Sequence, residues 1–117
     1  MYEVKEVTRQ GIRMSDIYLM KGDTFLSTVT AKRKDTGETY VPVEGDVVRF
    51  ALKKAYTDSE SLVRKVIPID TMLLRIEADE TKNLPVRSYV YDIEITFVNG
   101  EVDTFIRGNL ILLNEVE

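Results

Sequence analysis

Cysteine, histidine and tryptophan are all absent from this chain of 117 residues. Without cysteine there is no disulfide and no thiol nucleophile. Without histidine the chain lacks the usual general base near neutral pH and the usual ligand for zinc or iron. Catalysis would depend on carboxylates, lysine, tyrosine or serine alone, so the sequence predicts a non-catalytic protein with no cofactor and no metal. A sugar-stacking platform would have to rest on tyrosine or phenylalanine.

Long apolar runs and an excess of positive charge are also missing. No stretch approaches the roughly 18 apolar residues that a membrane helix needs, and the first residues show no apolar segment typical of a signal peptide. A mature secreted chain whose leader has been removed fits the same sequence. Sixteen basic and twenty acidic residues give a net charge of −4, with the basic residues scattered. The sequence therefore predicts no membrane partner and no nucleic-acid partner.

Alternating apolar and polar residues indicate β-strands in much of the chain. The alternation is clear in segments 24–32, 46–54 and 72–77. In the second segment Val48, Phe50 and Leu52 are predicted to face the core. Segment 62–67 is also predicted to be a strand, but its two faces have the same pattern, so the inward face stays open. Residues 78–84 favour one short helical turn, which Pro85 ends. These features predict an all-β antiparallel sandwich of about seven to nine strands with one helical turn.

The length suits a single domain that spans residues 1–117. Residues 1–20 are weakly patterned, and we expect them to form an N-terminal arm or edge strand. Residues 21–113 are then the core sandwich.

Residues 88–113 predict a long β-hairpin that organises the domain. Its turn is placed at Asn99-Gly100, a dipeptide that favours the two-residue turns of hairpins. Counting outward from that turn predicts several cross-strand pairs, which are Phe97 with Val102, Ile95 with Thr104, Ile93 with Ile106, Asp92 with Arg107, Tyr91 with Gly108, and Tyr89 with Leu110. One face of the hairpin is then a core face.

The order of a short turn, a tyrosine-bearing corner and a long final hairpin is typical of the last strands of immunoglobulin-like sandwiches. Tyr89 occupies the position of the corner tyrosine, whose hydroxyl bonds back to the upstream backbone. Tyr91, two residues later, is predicted to be in the core, and Gly108 opposite it leaves room for the ring. The alternative is that both tyrosines are simply large core residues.

The opposite face of the hairpin carries more large apolar side chains than a freely solvated face needs. These are Val90, Val98, Phe105, Ile111 and Leu113. One interpretation is that they cover a second layer of their own domain. The favoured interpretation is an assembly interface, because contiguous exposed apolar patches mark partner sites.

Four motifs in order resemble the N-terminal immunoglobulin-like domain of phage baseplate upper proteins. They are KGDTF at 21–25, DVVRFALKK at 46–54, DETKNLP at 79–85, and YVYDIEIT at 89–96 before Asn99-Gly100. The similarity covers residues 21–112. Two departures are the segment Val86-Arg87-Ser88, where the family usually has glycine, and the end of the chain soon after the last strand, where the family continues into a fibre or receptor-binding region.

The resemblance implies a structural or docking role in a phage or prophage tail or baseplate, located in the virion and made in the bacterial cytoplasm. It implies other tail or baseplate proteins as partners, together with homo-oligomerisation. The alternative is a cell-surface immunoglobulin-like adhesion or carbohydrate-binding domain, which the absence of tryptophan and of a leader disfavours. A small enzyme is a distant third possibility.

Two charged features have ordinary explanations. The carboxylates of Glu77, Asp79 and Glu80, near Asp70, have the oxygen ligands that calcium prefers, but the spacing lacks the EF-hand pattern. A solvated helical turn with acidic residues at its N-terminus explains them better. The predicted cross-strand neighbours Asp92 and Arg107 indicate a surface ion pair of at most about 1 kcal/mol.

Overall fold

A computed structural model describes residues 4–5, 16–33 and 38–114 of the chain. The described part contains ten strands and one helical turn. They are β1 (Val4–Lys5), β2 (Ile17–Met20), β3 (Phe25–Thr28), β4 (Ala31–Arg33), β5 (Thr39–Tyr40), β6 (Val47–Lys53), β7 (Val63–Ile67), β8 (Leu73–Ile76), α1 (Ala78–Thr81), β9 (Ser88–Thr96) and β10 (Val102–Leu113). The predicted all-β class and the short helical turn are confirmed.

Five strands form the large sheet, in the order β2-β10-β9-β6-β7. Strands β3 and β8 form a second sheet, and β1, β4 and β5 form a third. The core lies between the large sheet and the two smaller ones, and all three contribute buried residues, among them Phe50, Leu74 and Tyr40. This arrangement is an immunoglobulin-like β-sandwich, as the sequence predicts.

Strand β2 modifies two sequence-based expectations. It pairs with β10 in parallel, from Ile17 beside Leu110 to Met20 beside Leu113, so the large sheet is mixed rather than purely antiparallel. Ile17 and Leu19 are buried in the core. The core therefore begins at Ile17 instead of residue 21, because an edge strand can bury one of its two faces.

The alternating segment 24–32 does not form one continuous strand. Its first half is β3, which pairs with β8, and its second half is β4, which pairs with β1 and β5. Between them, the Val29 amide donates a hydrogen bond to the Met72 carbonyl at 2.7 Å. Val29 and Ala31 are both buried, so the alternation predicts the inward face correctly while the strand changes sheets.

The acidic cluster serves the helical turn and its ion pairs. The Glu80 carboxylate accepts a hydrogen bond from the Glu77 amide at 2.8 Å, a capping contact at the start of α1. The same carboxylate pairs with Lys65 at 2.8 Å, and Glu77 pairs with Arg75. Among the described residues, no three acidic side chains lie close enough together to hold a metal ion.

Tyr89 makes the hydrogen bond of a tyrosine corner. Its side chain is fully buried, and its hydroxyl donates to the Pro85 carbonyl at 2.5 Å. The corner needs no glycine here, because positive φ does not occur at Val86, Arg87 or Ser88. The Arg87 carbonyl accepts the Leu112 amide at 3.0 Å and so fastens the corner to β10. Val86, Arg87 and Ser88 therefore complete the corner without glycine.

We expect Tyr89→Phe to lower the free energy of unfolding by about 1–2 kcal/mol, because the Pro85 carbonyl loses its partner inside the corner. Burial raises the pKa of the Tyr89 hydroxyl above its ordinary value of 10.0, against the opposing charge of Arg87. The folded chain thus holds this proton more tightly than the unfolded chain. Its contribution to stability is present below pH 10 and declines as the pH rises through the raised pKa.

Urea unfolding at pH 7 and at a series of alkaline pH values measures both effects. Val41→Ala is the control, since the Val41 side chain is 70% exposed and lies outside any proposed contact, so its change should stay within about 0.5 kcal/mol. Equal stability losses in the two variants would contradict a structural role for the corner bond.

The hairpin differs from the predicted one at its turn. Gly100 has φ +93°, while Asn99 has an ordinary negative φ. The Gly100 amide donates to the Phe97 carbonyl, and the Phe97 amide donates to the Glu101 carbonyl, both at 2.8 Å. The loop therefore contains three residues instead of two, with glycine in the left-handed position. This extra residue shifts the adjoining pairs by one, so Ile95 faces Asp103 rather than Thr104.

A bulge at Phe105 restores the register. In the shifted register Glu94 faces Thr104 rather than Phe105, but Ile93 faces Ile106 as predicted, so Phe105 is the additional residue on β10. From there the predicted pairs hold, including Tyr91 with Gly108. The predicted outward placement of Phe105 is wrong: its side chain is 1% exposed and lies in the core, because the longer loop and the bulge reverse its direction.

Candidate functional site

An apolar patch lies on the outer face of the large sheet where β2, β10 and β9 run side by side. We call it the outer patch and define it by five residues, Tyr18, Met20, Val90, Ile111 and Leu113. Tyr18 is beside Ile111 and Met20 is beside Leu113, in register across the parallel pair. Tyr18 is 67% exposed and Leu113 38% exposed, while the other three are half-buried. The patch forms because side chains alternate between the two faces of a sheet, so on each of the three strands the side chains next to the buried ones point outward.

Three of the five residues that the sequence suggested for an interface belong to the outer patch. They are Val90, Ile111 and Leu113. Phe105 belongs to the core, as described above. Val98 is exposed, but it lies at the tip of the hairpin, at the other end of the sheet.

Val98 is held by a buried carboxylate. Asp46 is only 5% exposed, and its Oδ1 accepts the Val98 amide at 3.1 Å. Its Oδ2 accepts the Val43 amide at 3.0 Å and the Tyr40 hydroxyl at 2.5 Å. A single side chain thus joins β5, the turn before β6 and the hairpin tip. The Val98 backbone has a structural role, separate from the outer patch.

Tyr18 and Met20 are not among the predicted interface residues, because residues 1–20 are expected to form an N-terminal arm or edge strand; β2 is indeed an edge strand. The signal was present in the run Ile17-Tyr18-Leu19-Met20, whose two phases are both apolar. A strand with two apolar faces has one face for the core and one for another contact. The local sequence does not indicate that β2 lies beside β10, because their parallel pairing joins residues far apart in the chain.

A shallow polar cavity of about 180 Å³ lies on the same outer face, nearer to β7. Its floor includes Ala51, which lies between Asp92 on β9 and Arg64 on β7. Basic and acidic groups surround that small residue. The lining includes Arg49, Lys53, Ser59, Ser61, Arg64, Asp92 and Glu94. The cavity thus offers both donors and acceptors of hydrogen bonds.

Tyr56 separates the polar cavity from the outer patch. Its hydroxyl donates to the Gly108 carbonyl at 2.9 Å and lies 3.3 Å from the Tyr91 carbonyl. The Arg107 guanidinium lies 4.2 Å from the centre of its ring, a cation–π contact. Burial raises the pKa of Tyr56 above its ordinary value of 10.0, opposed by the positive charge of Arg107. Tyr56 therefore stays neutral and fixes the 54–62 loop on the sheet.

The contact with Tyr56 also determines the arrangement of Arg107. Asp92 and Arg107 are cross-strand neighbours, as the register predicts. Of the ion pairs among the described residues, none joins these two side chains. Arg107 instead stacks on Tyr56, so the predicted surface ion pair does not form.

No protein-family model matches the chain, and no curated protein matches it. Among solved structures, the crystal structure of CopC from Methylosinus trichosporium OB3b is similar, with a TM-score of 0.44 and 12% identical residues over 87% of each chain. A likeness of this degree carries no inference about ligands or partners. Within the described residues, no helix has the length and apolarity needed to cross a membrane.

Proposed function

We propose that this protein is a non-catalytic docking module of a phage or prophage tail or baseplate. It acts by protein–protein assembly through the outer patch, both with other tail or baseplate proteins and with copies of itself. The observation that carries the proposal is the outer patch itself, where five apolar side chains meet on one face of the large sheet.

Three features of the chain support this proposal. Contiguous apolar patches rimmed by polar residues are typical of protein interfaces, and the outer patch is bordered by Asp16, Lys53 and Asn109. The four motifs that resemble baseplate upper proteins include Pro85 and Tyr89 of the corner and Val90 of the outer patch. A binding surface on a rigid sheet also suits a structural assembly, because little conformational entropy is lost on docking.

The double variant Ile111→Asp with Leu113→Asp tests the proposal. Two carboxylates inside the outer patch would be desolvated in any interface, so we expect association to weaken by about tenfold or more. Light scattering should report a shift from oligomer to monomer. Co-expression with the proteins encoded beside it should report loss of their co-purification.

The matched control is Val41→Asp with Val102→Asp, which changes two exposed valines outside the outer patch, 70% and 58% exposed. Circular dichroism and urea unfolding establish that both double variants are folded. If the patch variant keeps the mass and the partners of the wild type, the outer patch is not the docking surface.

The polar cavity supports a second candidate, a carbohydrate-binding domain. Saccharide hydroxyls need paired donors and acceptors, and Arg64, Asp92 and Glu94 provide both kinds around one cavity. The test is binding of cell-wall saccharides. If the double variant Arg64→Ala with Asp92→Ala abolishes this binding and the outer-patch variant retains it, the result would favour carbohydrate binding over docking.

A further inference from the structure

The two edges of the large sheet are protected to different degrees. Edge strand β7 carries Arg64 and Lys65, and the Lys65 side chain lies in the phase of the buried Val63 and Ile67. Its ammonium group pairs with Glu80 at 2.8 Å. Inward-facing charges of this kind prevent another strand from adding to an edge. Edge strand β2, Ile17–Met20, contains no charge at all.

The free hydrogen-bonding groups of β2 are centred on Tyr18. The Lys21 amide donates to the Leu113 carbonyl, so the odd-numbered residues of this segment direct their backbone groups toward β10. By alternation, Tyr18 and Met20 direct theirs to the open side of the strand. The Met20 carbonyl already accepts the Asp23 amide at 3.0 Å. Tyr18 is thus the residue with both its N–H and its C=O facing outward and no backbone partner on that side among the described residues.

A residue with both groups directed outward is suited to one kind of contact. In an antiparallel pair, two opposing residues exchange both of their N–H···O=C bonds. When the two strands are identical and related by a two-fold axis, the residue on the axis opposes its own copy. We infer that two copies of this chain pair through β2, antiparallel, with Tyr18 on the two-fold axis.

This register agrees with the side chains on both faces. On the inner face Ile17 lies opposite Leu19 of the second copy, which continues the apolar core. On the outer face Met20 lies opposite Asp16 of the second copy. Centring the pair on Met20 instead would require a carbonyl that the Asp23 amide already occupies. The two five-stranded sheets then form one sheet of ten strands, and the two outer patches lie next to each other across the axis.

The inference rests on the proposed function, since it names a second copy as one partner of the module. It differs from that proposal in a testable way. Docking through the outer patch depends on side chains, whereas pairing through β2 depends also on the backbone amide of Tyr18.

Cysteine cross-linking tests the register without background, because the chain contains no cysteine. Tyr18→Cys places two thiols opposite each other, with Cα atoms about 5.5 Å apart, within the range that a disulfide spans. Met20→Cys is the matched control on the same face of the same strand. Its two copies would be about 14 Å apart at 3.4 Å per residue, too far for a disulfide. Mild oxidation should therefore convert Tyr18→Cys to a covalent dimer and leave Met20→Cys a monomer.

Proline substitution tests the backbone contact. Tyr18→Pro removes the amide hydrogen at an edge position where proline is tolerated, and Tyr18→Ala removes the side chain but keeps the amide. We expect the dimer dissociation constant from analytical ultracentrifugation to be at least about tenfold higher for Tyr18→Pro than for Tyr18→Ala, as for the loss of two paired hydrogen bonds.

Three results would overturn the inference. One is a wild type that stays monomeric at millimolar concentration. Another is equal cross-linking of Tyr18→Cys and Met20→Cys. The third is an oligomer that dissociates in the double variant Ile111→Asp with Leu113→Asp, combined with a Tyr18→Cys variant that does not cross-link. That result would support docking through the outer patch without pairing through β2. Should Tyr18→Pro fail to fold, the cross-linking pair decides alone.

Discussion

Phe105→Ala is expected to lower the free energy of unfolding by about 3–5 kcal/mol, the range for removing a fully buried phenylalanine ring. The side chain is 1% exposed, and Phe105 is the additional residue of the β-bulge, so its ring belongs to the hydrophobic core. Phe105→Asp would also bury a carboxylate, and we expect that variant not to fold. Urea unfolding followed by circular dichroism measures the loss.

Val102→Ala is the control for this prediction. It shortens an apolar side chain on the same strand, before the bulge, at a position that is 58% exposed. Its effect should stay within about 0.5 kcal/mol. A Phe105→Ala variant as stable as Val102→Ala would mean that Phe105 is on the outer face and that the bulge is placed wrongly.

The second large effect is expected at Asp46, the buried carboxylate between three segments of the chain. Asp46→Ala leaves the Val98 amide, the Val43 amide and the Tyr40 hydroxyl without their acceptor. A lost hydrogen bond of this kind costs about 1–3 kcal/mol, and least at the two part-buried amides, which water can reach, so a total loss of about 2–4 kcal/mol is expected. Amide hydrogen exchange should also quicken at Val98, because the hairpin tip loses its anchor.

Two variants separate the contributions at Asp46. Asp46→Asn keeps one acceptor oxygen and should lose about half as much stability as the alanine variant, because hydrogen bonds to a charged acceptor are the stronger ones. Tyr40→Phe removes one donor only. The double variant Tyr40→Phe with Asp46→Ala should lose much less stability than the sum of the losses in the two single variants, because the two residues share one hydrogen bond. Additive losses would show that the Tyr40 hydroxyl does not depend on Asp46.

These predictions bear on assembly as well as stability. Phe105 supports the sheet from the inside, and Asp46 fixes the hairpin tip, yet neither belongs to the outer patch. Variants at these two positions should therefore change stability without changing the mass of the folded protein. Variants in the outer patch and on the β2 edge should do the reverse.

Local sequence patterns determined the class of fold and most of the strand faces. Val48, Phe50 and Leu52 are buried as their alternation predicts, because a half-buried strand must place every second side chain inward. Tyr89 at the corner and the pairing of Tyr91 with Gly108 also follow from sequence, since both depend on residue counts along one hairpin.

Only the tertiary structure determined three features: the inward direction of the Phe105 side chain, the parallel pairing of β2, and the change of sheet within segment 24–32. The sequence pattern at Asn99-Gly100 is compatible with loops of two or three residues, and a change of one residue turns every later side chain to the other face unless a bulge compensates. Whether β2 pairs at all depends on residues about 90 positions away, and local periodicity holds no information about such distant partners. The outer patch therefore could be predicted in part, from Val90, Ile111 and Leu113, whereas its second half, Tyr18 and Met20, is placed by long-range pairing alone.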